Sequence, residues 1–310
     1  STIAKELNLN QLIPGTPRKP LDTLGTITAE FAAKTGLPAD TIMTMGIHDS
    51  NSALLPHFAK KGERGFILNS TGTWCVIMNP VEKYGFAPDE LGKVVFFNIS
   101  ALGMPHKPAI FLGGLEFETW SGFFMKRHER KDFPGWNEKL YRSILKERQL
   151  FLLPELKPGS GQFPSSRARI VENGKDYYFS ADASMSLPPC FDDFEKCFAV
   201  LRISLVMQTL TALKRTGVQN GNEVYIEGGF RKDESYSRLL ASALPDNRVC
   251  LTDITEASAL GAAMTGKMAL TGKSLKDLAD DFEIIYLEQE RGAFPELEPY
   301  RSAWLAEVER

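Results

Sequence analysis

Only four cysteines occur in the 310 residues, Cys75, Cys190, Cys197 and Cys250, and no two of them form a CxxC pair. The chain has only four histidines, and none sits beside a cysteine at metal-ligand spacing. A disulfide scaffold and a Cys/His zinc site are therefore excluded as organising principles. Four small buried thiols in a reducing, cytoplasmic compartment fit instead. An excess of one charge is also lacking. The 36 Lys and Arg stand against 39 Asp and Glu, a formal net charge of -3. Nothing in that balance draws the chain to nucleic acid or to an anionic membrane. No basic segment followed by an apolar core stands at the start, and no apolar run is expected to span a bilayer. Internal repeats and low-complexity tracts are missing as well.

What is present is an ordinary globular balance, 43% hydrophobic and 24% charged, over a length that suits one large or two ordinary domains. A Pro-rich stretch, residues 12–25, precedes a helical pattern in TITAEFAAKTGL that Gly36 and Pro38 stop. TIMTMGIHD reads as a short buried strand. SNSALLPHF reads as a helix opening directly after it, with Pro56 ending or kinking it. GFILNSTGTWCVIMN reads as two apolar strands about a small polar turn, and VVFFNIS as a further strand. Residues 115–150 have the pattern of amphipathic helix, and residues 150–190, rich in Pro, Gly and Ser, that of irregular chain. From Phe191 to Thr216 a long helix, apolar on nearly every side, runs to a stop at Gly217. The last third alternates strand, helix, strand and helix through EVYIEGG, SYSRLLASAL, RVCLTD and TEASALGAAMTGKMAL. A short helix is expected in SLKDLADDF. That order predicts an α/β fold, a sheet covered by helices.

Three segments carry candidate chemistry, and each also has an ordinary structural reading. In GIHDSNSALLP a strand delivers His48 and Asp49 to its C-terminal end, where ligands bind in open α/β sheets; Asp, Ser and Asn there are also common helix caps. In NSTGTW a tight turn at Gly72 exposes backbone N–H groups beside the hydroxyls of Thr71 and Thr73. Such a concavity can hold phosphate oxygens, or it can be a plain hairpin in which glycine supplies a positive φ. In IEGGFRKDESYSRLLASAL a strand runs through Gly228 and Gly229 into a helix, a place where backbone and helix N-terminus can approach an anion. It is neither GxGxxG nor a Walker A loop, and strand–Gly–helix turns are common.

Taken in order, these segments resemble the FGGY carbohydrate kinases, which share the actin-like, hexokinase-like ATPase fold. GTITAEFAAKTGLPADTIMTMGIHDSNSALL is similar to the family's stretch leading to the catalytic aspartate, and STGTW to its phosphate-contacting hairpin. IEGGFRKDESYSRLLASAL is similar to its adenosine-binding turn. TEASALGAAM resembles the small-residue helix packed beside that turn, with Ala257, Ala259, Gly261 and Ala262 permitting close packing. The resemblance runs from about Leu12 to about Phe282. It implies a ribonuclease H-like sheet with flanking helices, with residues 1–57 ending an N-terminal sugar-binding domain and residues 58–310 forming the C-terminal ATP-binding domain. It implies that Asp49 is the general base for a sugar hydroxyl and that His48 meets the sugar. Thr71, Gly72 and Thr73 would steady the β- and γ-phosphates of ATP. Gly228, Gly229, Phe230 and Asp233 would lie at the nucleotide, and Mg²⁺ would bridge the phosphates. The implied partners are ATP and a small ketose or polyol, not nucleic acid or membrane. If residues 1–57 end a domain that is mostly missing here, TIMTMGIHD would lack strand neighbours, and its apolar side chains would be exposed, buried in a homodimer or rearranged.

Departures from the family accompany the likeness. Relatives carry a larger N-terminal domain that opens with an Asp-containing Gly turn serving the phosphates and Mg²⁺, so no metal ligand is assigned. Asp22-Thr23-Leu24-Gly25-Thr26 stands in the wrong order to replace it and reads as a turn entering the next helix. Phe230 replaces a third glycine, and ISLVMQT replaces a Glu-Gly of the buried helix, which leaves nucleotide preference and substrate subgroup open. The leading reading is a carbohydrate kinase acting on a small ketose or polyol, and the His48–Asp49 pair before the helix resembles the rhamnulose- and fuculose-type kinases more than glycerol or xylulose kinases. The competing readings are a non-catalytic nucleotide-binding module and a glycoside hydrolase using Glu116 and Glu118. Those two carboxylates would share a face on a strand but not on a helix.

Overall fold

The computed structural model describes residues 2–12, 15, 18–179 and 187–310. Ile13, Pro14, Thr16 and Pro17 of the Pro-rich stretch, and residues 180–186 of the segment expected to be irregular, lie outside the described residues. In chain order the first elements are α1 (Thr2–Glu6), β1 (Thr23–Thr26), α2 (Ala29–Thr35), β2 (Ile42–Thr44), α3 (Asp49–Lys61), β3 (Phe66–Thr71) and β4 (Cys75–Pro80). Next come β5 (Asn98–Ile99), β6 (Pro105–Phe111), α4 (Gly113–Arg127), α5 (Glu138–Glu147), β7 (Leu150–Leu153), β8 (Arg169–Glu172) and β9 (Lys175–Tyr178). Then follow α6 (Phe194–Thr216), β10 (Glu223–Gly228), α7 (Glu234–Ala243), β11 (Arg248–Thr252), α8 (Ala257–Thr271), β12 (Tyr286–Glu288) and α9 (Leu297–Glu309). The chain divides into two compact units: residues 1–60 with 256–282, and residues 61–255 with 283–310. The segment 256–282, expected within residues 58–310, thus packs with the first sixty residues.

In the smaller unit, α2 stops at the predicted Gly36 and starts three residues into the TITAEFAAKTGL pattern. The Thr28 hydroxyl accepts from the Phe31 N–H at 3.2 Å, and Gly36 closes the helix with a φ of 73°. The buried strand expected in TIMTMGIHD is instead three residues long and half exposed, and Met43 and Met45 are exposed. It pairs antiparallel with β1, which is built from the Thr23–Thr26 segment read as a turn. A two-stranded ribbon has too little partner surface to bury both faces, which explains the exposure.

Pro56 does not end α3, which runs on to Lys61. Proline has no N–H to give to the Ser52 carbonyl one turn back. Gly261 of α8 lies against that carbonyl instead: a Cβ there would stand 1.9 Å from the oxygen. The Ser52 hydroxyl also donates to the Ser258 carbonyl at 2.6 Å. The two helices are therefore pinned backbone to backbone. Of the four small residues of α8 singled out above, Gly261 is buried, while Ala259 and Ala262 are exposed.

The larger unit carries a seven-stranded sheet in the order β12-β11-β10-β3-β4-β6-β5. The β3–β4 hairpin and β6 form an antiparallel meander, and β10 and β11 run parallel to β3. This is the mixed sheet of the actin-like ATPase fold. VVFFNIS contributes only the two residues of β5 and an isolated bridge at Val95. Sequence reasoning passed over β6, in which two prolines mask the strand pattern, and also β12 and α9. The stretch read as helical over residues 115–150 holds two helices, α4 and α5, and Asn137 caps the second through the Leu140 N–H. Residues 150–190 are not irregular throughout: β7, β8 and β9 form an antiparallel sheet.

At the centre lies α6. It starts at Phe194, three residues later than read, because the Asp193 carboxylate caps it through the Lys196 N–H, and Gly217 ends it at a φ of 86°. Contrary to expectation, this helix is long and apolar enough to cross a membrane. Yet 94% of its most apolar window is buried in the protein, which marks a core helix.

Candidate functional site

The two turns singled out in the larger unit are neighbours because their strands are. In the parallel β3–β10 pair, Gly228 stands opposite Thr71. Gly228 has a φ of 79°, and a Cβ on it would lie 2.0 Å from the Thr71 carbonyl oxygen, so only glycine lets the strand ends meet. The Thr71 hydroxyl donates to the Glu227 carbonyl and accepts from the Phe230 N–H at 3.0 Å. It is buried, and its proton is spent on holding the turns together. The Thr73 side chain, by contrast, is exposed, and its hydroxyl has no partner among the described residues. Gly72 does not adopt the positive φ of the plain-hairpin reading.

A third element was not found from sequence. Helix α4 begins at Gly113–Gly114, against the hairpin turn. A Cβ on Gly114 would stand 1.9 Å from the Gly72 carbonyl oxygen, and one on Gly113 would stand 2.5 Å from the Cys75 Sγ. The Leu115 N–H donates to the Thr73 carbonyl at 3.2 Å. The signal was available as a glycine pair between a strand and a helix.

These three elements enclose a cavity of about 320 Å³. Six of the residues chosen from sequence line it: Thr71, Gly72, Thr73, Gly229, Phe230 and Asp233. Gly228 does not; it supports the wall from behind. The residues that sequence reasoning missed are Gly114, Phe117, Glu118, Phe133 and Lys232.

Phe117, Phe133 and Phe230 form an apolar wall, with Phe117 edge-on to Phe230 at 5.6 Å and to Phe133 at 5.4 Å. Phe230 also packs on Tyr236 at 4.8 Å. Its ring is largely buried, packed between Phe117 and Tyr236, and borders the cavity. Asp233 borders the cavity, but its carboxylate is committed. One oxygen caps α7 through the Tyr236 N–H at 3.0 Å, and the other accepts from Arg202 Nε at 2.8 Å. Burial works to lower the Arg202 pKa, but the Asp233 carboxylate and the Tyr141 hydroxyl hold it above its ordinary value. The exposed Lys232 and Glu118 are left as the charged groups at the mouth.

A cavity with one aromatic wall, a threonine hairpin, a helix start and an ammonium group fits a planar base joined to phosphates. Among the described residues, no three His, Cys, Asp or Glu side chains come together as a metal-binding group.

The paired-carboxylate reading does not survive the geometry. Glu116 and Glu118 are on α4, where two-residue spacing turns them to different faces. Glu116 is buried, takes a 2.7 Å bond from Gln208 Nε2, and has its pKa pushed up to about 7 by burial, whereas Glu118 is exposed.

In the smaller unit, Asp49 is the first residue of α3, and its side chain is 76% exposed. Asp49 Oδ1 accepts from the Ser50 N–H at 2.6 Å and stands 2.9 Å from His48 Nδ1. Its other oxygen has no partner among the described residues. A carboxylate at a helix start is favoured by the helix dipole and stays available for chemistry.

The model of the FGGY carbohydrate kinase C-terminal domain matches residues 63–274. A carbohydrate kinase from Novosphingobium aromaticivorans is similar in structure at a TM-score of 0.67 and 24% identity, over 100% of this chain and 60% of that one. A ligand-bound xylulose kinase from Lactobacillus acidophilus gives 0.73 at 14% identity, over 100% and 59%. Plasmodium falciparum glycerol kinase with ADP gives 0.68 at 13% identity, also over 100% and 59%. The chain thus spans about three-fifths of the length of these structures. No curated protein matches it by sequence.

Proposed function

The chain belongs to the FGGY carbohydrate kinase family, and from that premise we propose that the protein transfers the γ-phosphoryl group of ATP to a hydroxyl of a small ketose or polyol. The observation that carries this reading is the cavity of about 320 Å³ where the Gly-Thr hairpin, the Gly228–Gly229 turn and the start of α4 converge. On this reading the aromatic wall takes the base, and Thr73, the Gly72 backbone and Lys232 take the phosphates. Mg²⁺, when bound, neutralises charge on the phosphate oxygens.

Asp49 is the general base in this proposal. Its free carboxylate oxygen takes the proton of the attacking hydroxyl as the sugar O–P bond forms and the bond from Pγ to the β-phosphate oxygen breaks, releasing ADP. His48, beside it, contacts the sugar and orients the carboxylate. Within the acceptor class, the His48–Asp49 pair at the start of α3 supports ketoses of the rhamnulose or fuculose type. Because the chain spans three-fifths of its structural relatives, the 310 residues alone are expected to bind nucleotide and turn over poorly. The four free, buried cysteines fit a reducing cytoplasm.

The test is ADP release by the full-length protein with L-rhamnulose, L-fuculose, D-xylulose and glycerol. The expected result is sugar-dependent turnover that Asp49→Asn lowers about 10²–10⁴-fold. Nucleotide binding without turnover on any of these sugars would favour the non-catalytic nucleotide-binding reading.

A further inference from the structure

A second and larger cavity, of about 860 Å³, lies in the same unit and shares no residue with the nucleotide cavity. Its wall brings together cations from separate segments. Lys93 comes from the loop before β5, Arg167 and Arg169 from the start of β8, Lys214 and Arg215 from the last turn of α6, and Arg301 and Arg310 from α9 and its end. Against these seven stand three acids in the wall, Asp89, Glu90 and Glu309. Glu90 is already engaged by Lys107 at 2.6 Å.

From outside the wall the positive charge is offset only in part, at Arg169, Arg301 and Arg310. Arg169 and Arg310 share a single carboxylate, Asp176, at 3.1 and 2.8 Å. Arg310 adds Glu307 at 2.8 Å, and Arg301 reaches Glu298 only at 3.6 Å. Among the described residues, Lys93, Arg167, Lys214 and Arg215 have no carboxylate at ion-pair distance. Arg301 Nε is buried and has no hydrogen-bond partner among the described residues. Arg215 is held by the Gln162 carbonyl and side-chain oxygen at 2.5 and 2.8 Å, both neutral acceptors. Burial lowers its pKa, with Asp89, Glu90 and Glu155 acting the other way.

Cations in the last turn of a helix are ordinary, which accounts for Lys214 and Arg215. It does not account for five more from other segments converging on the same space. Mutual repulsion in a partly enclosed site is relieved by a bound anion, and guanidinium groups match the oxygens of phosphate. The remaining wall includes Phe163, Leu305 and Val308, surface suited to a carbon skeleton rather than to a bare inorganic ion. We propose that this cavity is a binding site for a small phosphorylated organic anion, separate from the site for ATP.

The experiment is isothermal titration of the intact protein at low ionic strength with 3-phosphoglycerate, inorganic phosphate and glycerate. The proposal expects saturable binding of 3-phosphoglycerate, tighter than that of either fragment. Lys214→Gln combined with Arg167→Gln should weaken it about tenfold or more. Both side chains are exposed and make no bond among the described residues, so the unfolding midpoint should not move. Arg215→Lys, which keeps the charge but loses the fork, should weaken it less. Lys232→Gln, in the nucleotide cavity, should leave it unchanged. The proposal is overturned by no saturable binding up to about 10 mM, by equal affinity in the Arg167/Lys214 double variant, or by loss of binding in Lys232→Gln.

Discussion

Asp49 and Asp233 are both aspartates at the first turn of a helix, one in each compact unit, and their surroundings make them opposites. The Asp233 side chain is 8% exposed and fully engaged, by the Tyr236 N–H on one oxygen and by Arg202 on the other. Asp49 is 76% exposed, and its partners are its immediate neighbours in sequence, on one oxygen only. The carboxylate proposed to take a proton is the one the fold leaves unspent, while the one built into a cavity wall holds that wall in place. The same division runs through the hairpin, where Thr71 is committed and Thr73 is free.

The sharpest way to break this contrast is Asp49→Asn. The full-length protein should lose about 10²–10⁴-fold in turnover, the range for removing a general base, with its unfolding midpoint unchanged. A large drop in thermal stability would place Asp49 among the structural carboxylates. Asp233→Ala should do the reverse. It leaves Arg202 buried without its ion pair and removes the cap of α7, so chemical denaturation should report a loss of about 3 kcal/mol.

A smaller effect concerns Glu116, buried on α4 beside the proposed nucleotide cavity. Its pKa is raised to about 7, foremost by burial, with Glu155 adding to it and the bond from Gln208 opposing it. A raised carboxyl pKa means that the unfolded chain ionises first. The neutral carboxyl's contribution is therefore fully present below pH 4.5 and is lost as pH rises towards about 7. Glu116→Gln should flatten that part of the stability profile and raise stability at pH 8 by about 2 kcal/mol, measured by urea unfolding across the window. The smallest effect is expected at Lys232, exposed at the cavity mouth. Lys232→Gln should weaken ATP binding about fivefold without changing stability, as calorimetric titration would show.

The larger unit was the more legible from sequence. Its long helix, its hairpin and the strand–Gly–Gly–helix turn are set by local patterns: an unbroken apolar run, two apolar runs about a polar turn, and glycines where backbones must touch. Elements without such a pattern were missed. Pro105 and Pro108 hide β6, and the Pro, Gly and Ser of residues 150–190 hide the sheet of β7, β8 and β9. For the smaller unit the expectations pointed two ways, buried by composition and exposed for want of strand neighbours, and Met43 and Met45 are exposed. TIMTMGIHD has the composition of a buried strand, but burial requires neighbours, and composition does not state whether they are there.

Sequence by itself determined the alternation of strands and helices, the glycines at the turns, and an aspartate at the head of α3. Those follow from short-range sterics and periodicity, which act within a few residues. Only the tertiary structure decided that Gly114 completes the wall begun by Thr71 and Gly229, and that Asp233 is bound to an arginine thirty-one residues away. It also decided that seven cations from scattered segments line one cavity. Each of these depends on which strands pair and which helix ends meet, and long-range packing fixes that, not the spacing along the chain.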